Sequence, residues 1–134
     1  MIHLDTTFLV DLLRESAREK EGRGSAFLRS VESEALVASV HAVCELHAGA
    51  ELSRDPVKER ERVERLCQGF TIVYPNGRFP LVYGQLLARL ERAGQRIGVM
   101  DLLIATAAVI DGAALVTANV REFRRVPELS VLEY

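Results

Sequence analysis

The sequence predicts an α/β fold in three layers, with helices on both faces of a mainly parallel central sheet. Short apolar runs alternate with longer stretches of helical periodicity along the whole chain. Helix-opening and helix-closing residues punctuate that alternation. No internal repeat, linker or low-complexity segment interrupts it, so residues 1–134 form one domain. A chain of this length buries a core without disulfides or structural metals, and its hydrophobic content of 49% is that of a globular protein.

Ile2 to Asp5 reads as a short strand, and the chain from Thr6 onward as a helix carrying Phe8, Leu9, Leu12 and Leu13. Asp5 or Thr6 is its candidate cap. Gly22 and Gly24 break a charged stretch, after which Ala26, Phe27, Leu28 and Val31 support a second helix. Ala35 to Ser39 is a strand, and Ser39 caps a helix from about His41 to Leu52. Ser53-Arg54-Asp55-Pro56 turns into the next helix, Val57 to Cys67, because proline suits a first helical turn. The dense charge of that helix marks a solvated outer face. Phe70 to Val73 is a third strand, closed by Tyr74-Pro75-Asn76-Gly77. Helices follow over Leu81 to Ala93, ending near Gly94, and over about Val99 to Asp111, with Gly112 just past the end. Ala114 to Thr117 is a fourth strand, Asn119 to Phe123 a turn or short helix, and Leu129 to Leu132 a fifth strand.

A formal net charge of −2 argues against a protein that coats nucleic acid without specificity. The basic residues are 15 arginines and 2 lysines, a bias that suits phosphate recognition but has compositional causes too. Cys44 and Cys67 lack disulfide or metal spacing and are expected as reduced core or near-core residues. No apolar run approaches the roughly 18 residues of a membrane span. Met-Ile-His-Leu-Asp at the N-terminus is no signal peptide, so a cytoplasmic location is expected.

Three isolated carboxylates, Asp5, Glu45 and Asp101, interrupt apolar segments. A carboxylate in such surroundings needs a counter-charge or dense hydrogen bonding. Asp5 and Glu45 have no cation near them in sequence, and the nearest to Asp101 is Arg96. Three and four positions from Glu45 stand only His41, Ala42, Ala48 and Gly49. In open α/β sheets ligands bind beyond the carboxyl ends of the strands. Asp5 ends the first strand, Glu45 follows the second by about a turn, Asn119 follows the fourth, and Asp101 opens a helix. All four are therefore expected at one edge, although Asp5 and Asp101 taken singly suit helix caps and Asn119 suits a turn. A divalent cation shared by the carboxylates is the simplest common explanation. Carboxylates without His or Cys partners favour Mg²⁺, with Mn²⁺ the alternative, over zinc.

Four segments carry a family resemblance: Leu4-Asp5-Thr6-Thr7; Ala38-Ser39-Val40 through Glu45-Leu46-His47-Ala48-Gly49-Ala50; Ile97 to Ala105 around Asp101; and Val116-Thr117-Ala118-Asn119-Val120-Arg121-Glu122-Phe123. In this order and spacing the chain resembles a PIN-domain nuclease of the VapC toxin type. The resemblance implies a metal-dependent endoribonuclease neutralised by a VapB-type antitoxin, a homodimer, and promoter DNA contacted only through the antitoxin complex. It assigns Asp5, Glu45 and Asp101 to the acidic positions, with Asp5 and Asp101 as direct ligands and Glu45 as a ligand or water-orienting group. Many PIN domains carry a fourth acidic residue where this chain has Asn119, and Glu122 can substitute. Thr6 and Thr117 are supporting candidates, Thr6 for a water or phosphate oxygen. Arg96 and Arg121 are candidate contacts to RNA phosphates.

Rival readings lack site groups. A receiver domain needs a lysine that neither Lys20 nor Lys58 supplies, and a haloacid-dehalogenase-type phosphatase needs an aspartate where Thr7 stands. His41, Glu45 and His47 form no H-E-x-x-H zinc motif, and with His3 they are expected as ordinary polar or packing residues. The remaining alternative is a catalytically impaired PIN fold that acts only by binding RNA or a partner, kept open by Asn119.

Overall fold

The computed structural model describes residues 1–134. Each short apolar run becomes a strand of one all-parallel sheet, β1 (Ile2–Leu4), β2 (Leu36–Ser39), β3 (Thr71–Val73), β4 (Ala114–Val116) and β5 (Val131–Leu132), in the order β3-β2-β1-β4-β5. Parallel strands covered by helices on both faces read as unbroken apolar runs. Central β1 does so, and all three of its residues are buried. Between them run α1 (Thr6–Arg18), α2 (Arg23–Ser30), α3 (Val40–Glu51), α4 (Pro56–Cys67), α5 (Phe79–Arg92), α6 (Val99–Ile110) and α7 (Val120–Phe123).

From β1 the chain winds outward through β2 to β3, then crosses back to β4 on the other side of β1. The gap between β1 and β4 is thus a topological switch point, where the crevice beyond the strand ends opens. β1 pairs with β4 at Ile2–Ala114, His3–Leu115 and Leu4–Val116, so Asp5 and Thr117 leave the sheet side by side. The Asp5 N–H still donates to the Val116 carbonyl (3.1 Å).

Local chemistry fixes the helix ends that aim the site. Ser39 Oγ accepts from the Ala42 N–H (3.3 Å) and starts α3 directly after β2. Asp55 Oδ1 accepts from the Lys58 N–H (3.2 Å), with Pro56 in the first turn of α4. Beyond α6, Gly112 takes φ +60°, a left-handed value that costs glycine little. Phe8 anchors the core beneath α1, with Phe27 (ring centroids 5.6 Å apart) and Tyr134 (4.8 Å) both edge-on to it.

Several boundaries differ from the sequence reading. α5 begins at Phe79, because Pro80 lies inside its first turn where no N–H is required. β4 stops at Val116 and β5 shortens to Val131–Leu132, preceded by Glu128 at φ +67°. Cys44 is exposed rather than core: α3 turns Ala42, Val43, Leu46 and Ala50 inward, which leaves Cys44, Ala48 and Glu51 on its outer face. Cys67 is half-buried, and burial followed by the Glu64 charge pushes its thiol pKa up. α4 is mostly exposed as expected, but Val63 is buried and Glu59–Arg62 form a partly sheltered ion pair (2.9 Å). His3 is buried in β1 and pairs through Nε2 with Asp111 Oδ2 (2.6 Å), just past α6. Burial lowers the His3 pKa, and the Asp111 carboxylate partly opposes that shift. No helix is long and apolar enough to cross a membrane.

Phe8→Ala removes a fully buried ring from this core and should cost about 3–5 kcal/mol. Urea unfolding followed by circular dichroism reads this as a lower midpoint at an unchanged slope.

Candidate active site

Asp5 sits at the carboxyl end of β1 and is 1% exposed. It occupies the N-cap position of α1 yet makes no side-chain cap bond. Its Oδ2 instead accepts from the hydroxyls of Thr7 (2.8 Å) and Thr117 (2.6 Å). Each hydroxyl in turn accepts a backbone N–H, Thr7 from Ala118 (3.0 Å) and Thr117 from Asn119 (2.9 Å). Two peptide N–H groups of the β4–α7 loop are thereby relayed onto one carboxylate oxygen. The other oxygen, Oδ1, is buried without any hydrogen-bond partner. A buried carboxylate oxygen left bare is costly unless a ligand completes it.

Glu45 comes from the second turn of α3, and its Oε1 accepts from the Thr6 hydroxyl (2.7 Å). Thr6 therefore ties α1 to α3 and holds Glu45. Asp101 lies in the first turn of α6, whose N-cap is Gly98, so it is not a cap. Its carboxyl pKa is raised to about 7, first by burial, then by the charge of Asp5, by the charge and hydrogen bond of Glu122, and by Glu45. Four carboxylates from four elements thus act on one another, and none has an arginine or lysine ion-pair partner. Asn119 is the N-cap residue of α7 but does not cap it with its side chain. Its Nδ2 donates to Glu122 Oε2 (2.7 Å). Asn119 thus holds Glu122, whose carboxylate acts on Asp101.

The arginine candidates stand differently. Arg96 is exposed, its guanidinium bonds Glu91, and its carbonyl accepts from Arg125 (2.9 Å). Arg121 is exposed in α7 beside Glu122. Thr7, the hub of the Asp5 network, was not singled out by the sequence reading. A hydroxyl two residues after an aspartate is a spacing at which side chains commonly bond locally, and that was the available signal.

The donors are all oxygen, which fits a hard divalent cation and not zinc. No three Asp, Glu, His or Cys side chains close on one point as a ready ligand set. One or two carboxylates, with water completing the sphere, is the arrangement magnesium favours. Asp5 Oδ1 and the Asp101 carboxylate are the groups these surroundings leave free to take that role. Beside Glu45, a cleft of about 230 Å³ between α1, α3 and α4 is lined by Val10, Leu13, Leu46 and Val63, with Arg14 and Arg62 at its margin.

A PIN domain profile matches residues 2–129 of the chain. The sequence is 32% identical over 126 residues to ribonuclease VapC1 of Haemophilus influenzae, covering 94% of this chain and 92% of the relative. It is also 32% identical over 90 residues to the tRNA(fMet)-specific endonuclease VapC of Salmonella typhimurium, covering 67% and 68%. Among solved structures, VapBC2 of Rickettsia felis bound to a promoter DNA fragment superposes with a TM-score of 0.91 at 26% identity, covering 100% of this chain and 99% of that one. DNA-bound VapBC of Salmonella typhimurium gives 0.89 at 26% identity, with 98% and 96% covered.

Because the fold raises the Asp101 pKa, the folded state binds that proton more tightly than the unfolded chain does. This contribution to stability is fully present below about pH 4 and is lost as pH rises through about 7. In EDTA, the melting temperature of the wild type should therefore fall relative to Asp101→Asn between pH 5 and 8. Equal pH profiles for the two proteins would refute the assignment. Thr117→Val, which strips a donor from Asp5 and an acceptor from the Asn119 N–H, should lower stability by about 1–3 kcal/mol in urea unfolding.

Proposed function

The chain belongs to the PIN domain family, and from that premise we propose that it is a magnesium-dependent endoribonuclease, the VapC-type toxin of a toxin–antitoxin pair working in the cytoplasm. The observation that carries this reading is the group of four carboxylates around the bare Oδ1 of Asp5, without a cationic side chain to neutralise them. The relatives named ribonuclease and endonuclease VapC support the reaction class. The carboxylate constellation supports the metal.

A bound Mg²⁺, or Mn²⁺ in its place, supplies Lewis acidity toward the scissile phosphate and neutralises its developing charge. Asp5 and Asp101 would hold that ion. The Thr7 and Thr117 hydroxyls keep Asp5 Oδ2 occupied, so that Oδ1 faces the site. Glu45, steadied by Thr6, orients the attacking water for in-line displacement at phosphorus and takes its proton. The departing ribose oxygen takes its proton from solvent water. The new P–O bond to water forms as the old P–O bond breaks. Asn119 keeps Glu122 near Asp101, which supports Glu122 as the fourth acidic group of the site.

A VapB-type antitoxin restrains the enzyme. The structural relatives are VapBC assemblies on DNA, which supports such a partner and promoter contact made through it. The apolar cleft that opens beside Glu45 is a fitting place for an antitoxin segment, because occupancy there would crowd a catalytic carboxylate. The toxin acts as a homodimer.

Purified protein should cut single-stranded RNA in Mg²⁺ and not in EDTA. Asp5→Asn should lose ~100-fold or more in rate while keeping its circular dichroism spectrum, a larger loss than outer-shell partners usually give. Asn119→Ala, which frees Glu122 without removing a carboxylate, should lose about 10-fold. Full metal-dependent activity in Asp5→Asn would overturn the proposal.

A further inference from the structure

Next to the cleft beside Glu45, and sharing Arg14 with it, lies a second, polar cleft of about 230 Å³. Arg14, Arg18 and Arg23 line it, with Tyr134 at one side. Its two acids are engaged internally. Asp11 accepts from the Tyr134 hydroxyl (2.5 Å). Glu15 turns inward to the Ser25 N–H (3.2 Å) and hydroxyl (3.3 Å), capping the start of α2. Gly22 and Gly24 permit that approach, since a side chain at either would collide with Glu15. Arg14 makes only a long contact with Asp11 (3.4 Å) and is 66% exposed. Arg18 and Arg23 have no hydrogen-bond or ion-pair partner at all. In a chain of net charge −2, three guanidinium groups against two carboxylates leave this cleft with an excess of positive charge.

The cleft is also connected to the site. Arg14 and Arg18 follow Asp5 on α1 by 9 and 13 residues, so they stand roughly 14 and 20 Å along the helix axis from it. Tyr134 packs edge-on against Phe8, one turn from Asp5, and its hydroxyl feels the charges of both Asp5 and Arg23. A strand leaving the carboxylates along α1 would meet the arginines in succession.

We propose that the cleft formed by Arg14, Arg18 and Arg23 beside Tyr134 holds the phosphodiester backbone of the RNA strand on one side of the scissile bond. The inference rests on the nuclease function proposed above. Guanidinium groups suit phosphate oxygens through paired N–H donors. Their contact here is to the backbone, so it positions RNA without reading its sequence. The arrangement also answers an electrostatic problem, because an acidic site repels the polyanion it must cut. Arginines one to two helical turns beyond Asp11 supply the attraction at a distance from the carboxylates.

The test uses the full chain carrying Asp5→Asn, which leaves RNA intact, and a labelled single-stranded RNA titrated in Mg²⁺ at several salt concentrations. Adding Arg18→Gln and Arg23→Gln should reduce the slope of log affinity against log salt by about 1.4, about 0.7 for each phosphate no longer neutralised. The pair Arg54→Gln and Arg65→Gln, exposed arginines elsewhere, should leave the slope unchanged. In the otherwise wild-type enzyme, the cleft pair should raise KM for long RNA with kcat preserved. An unchanged slope overturns the inference, and so does an equal fall from the control pair. Retained RNA binding with abolished antitoxin capture overturns it as well, assigning the cleft to a protein partner. If the wild type cleaves no RNA and Asp5→Asn binds none, the function itself falls. Cleavage with an unchanged slope overturns the cleft alone.

Discussion

Two threonine hydroxyls on one oxygen of Asp5 are the constraint on which the rest of the site depends. Thr7 comes from the first turn of α1 and Thr117 from the end of β4, so the same bonds that orient the carboxylate also lock two elements across the switch point. Each hydroxyl has one proton to give and accepts one backbone N–H, which leaves neither free to rotate away. The β4–α7 loop is thereby fixed, and that loop carries Asn119 and leads into Glu122 of α7. Orientation of the first carboxylate and delivery of the last are a single structural event.

This geometry explains why an acidic site can sit in a partly dry crevice without a cationic side chain. A salt bridge to Asp5 would satisfy Oδ1 and leave nothing for a ligand. Neutral hydroxyls instead saturate one oxygen and leave the other bare. Burial first, and then the neighbouring carboxylates, raise the pKa of Asp101 toward neutrality. Neutral donors for orientation and withheld cations for chemistry are the division of labour that the threonines and carboxylates share.

Much of this was legible in the sequence. The element order followed from punctuation and period, since each strand is an apolar run and α3, α4 and α5 have a capping side chain or a proline at their start. Asp5, Glu45 and Asp101 stood out because charges in apolar segments lack local partners. Other features depended on contacts between distant segments. Thr7 reaches Thr117 across 110 residues, and Glu122 meets Asp101 only once β4 lies beside β1. Asn119 looked like a lost acid, whereas its amide serves to present one. Cys44 was misplaced because the inward face of α3 is chosen by packing against the sheet, and a helix with apolar residues on most sides does not announce which face wins.

The His3–Asp111 pair gives the molecule a mechanical property. Asp111 lies just beyond one end of α6, a rod of about 18 Å, and Asp101 lies in the first turn at the other end. β1 and α6 are therefore pinned together below while like charges at their upper ends push apart. The frame that presents Asp5 and Asp101 is thus held by a buried histidine that touches neither carboxylate.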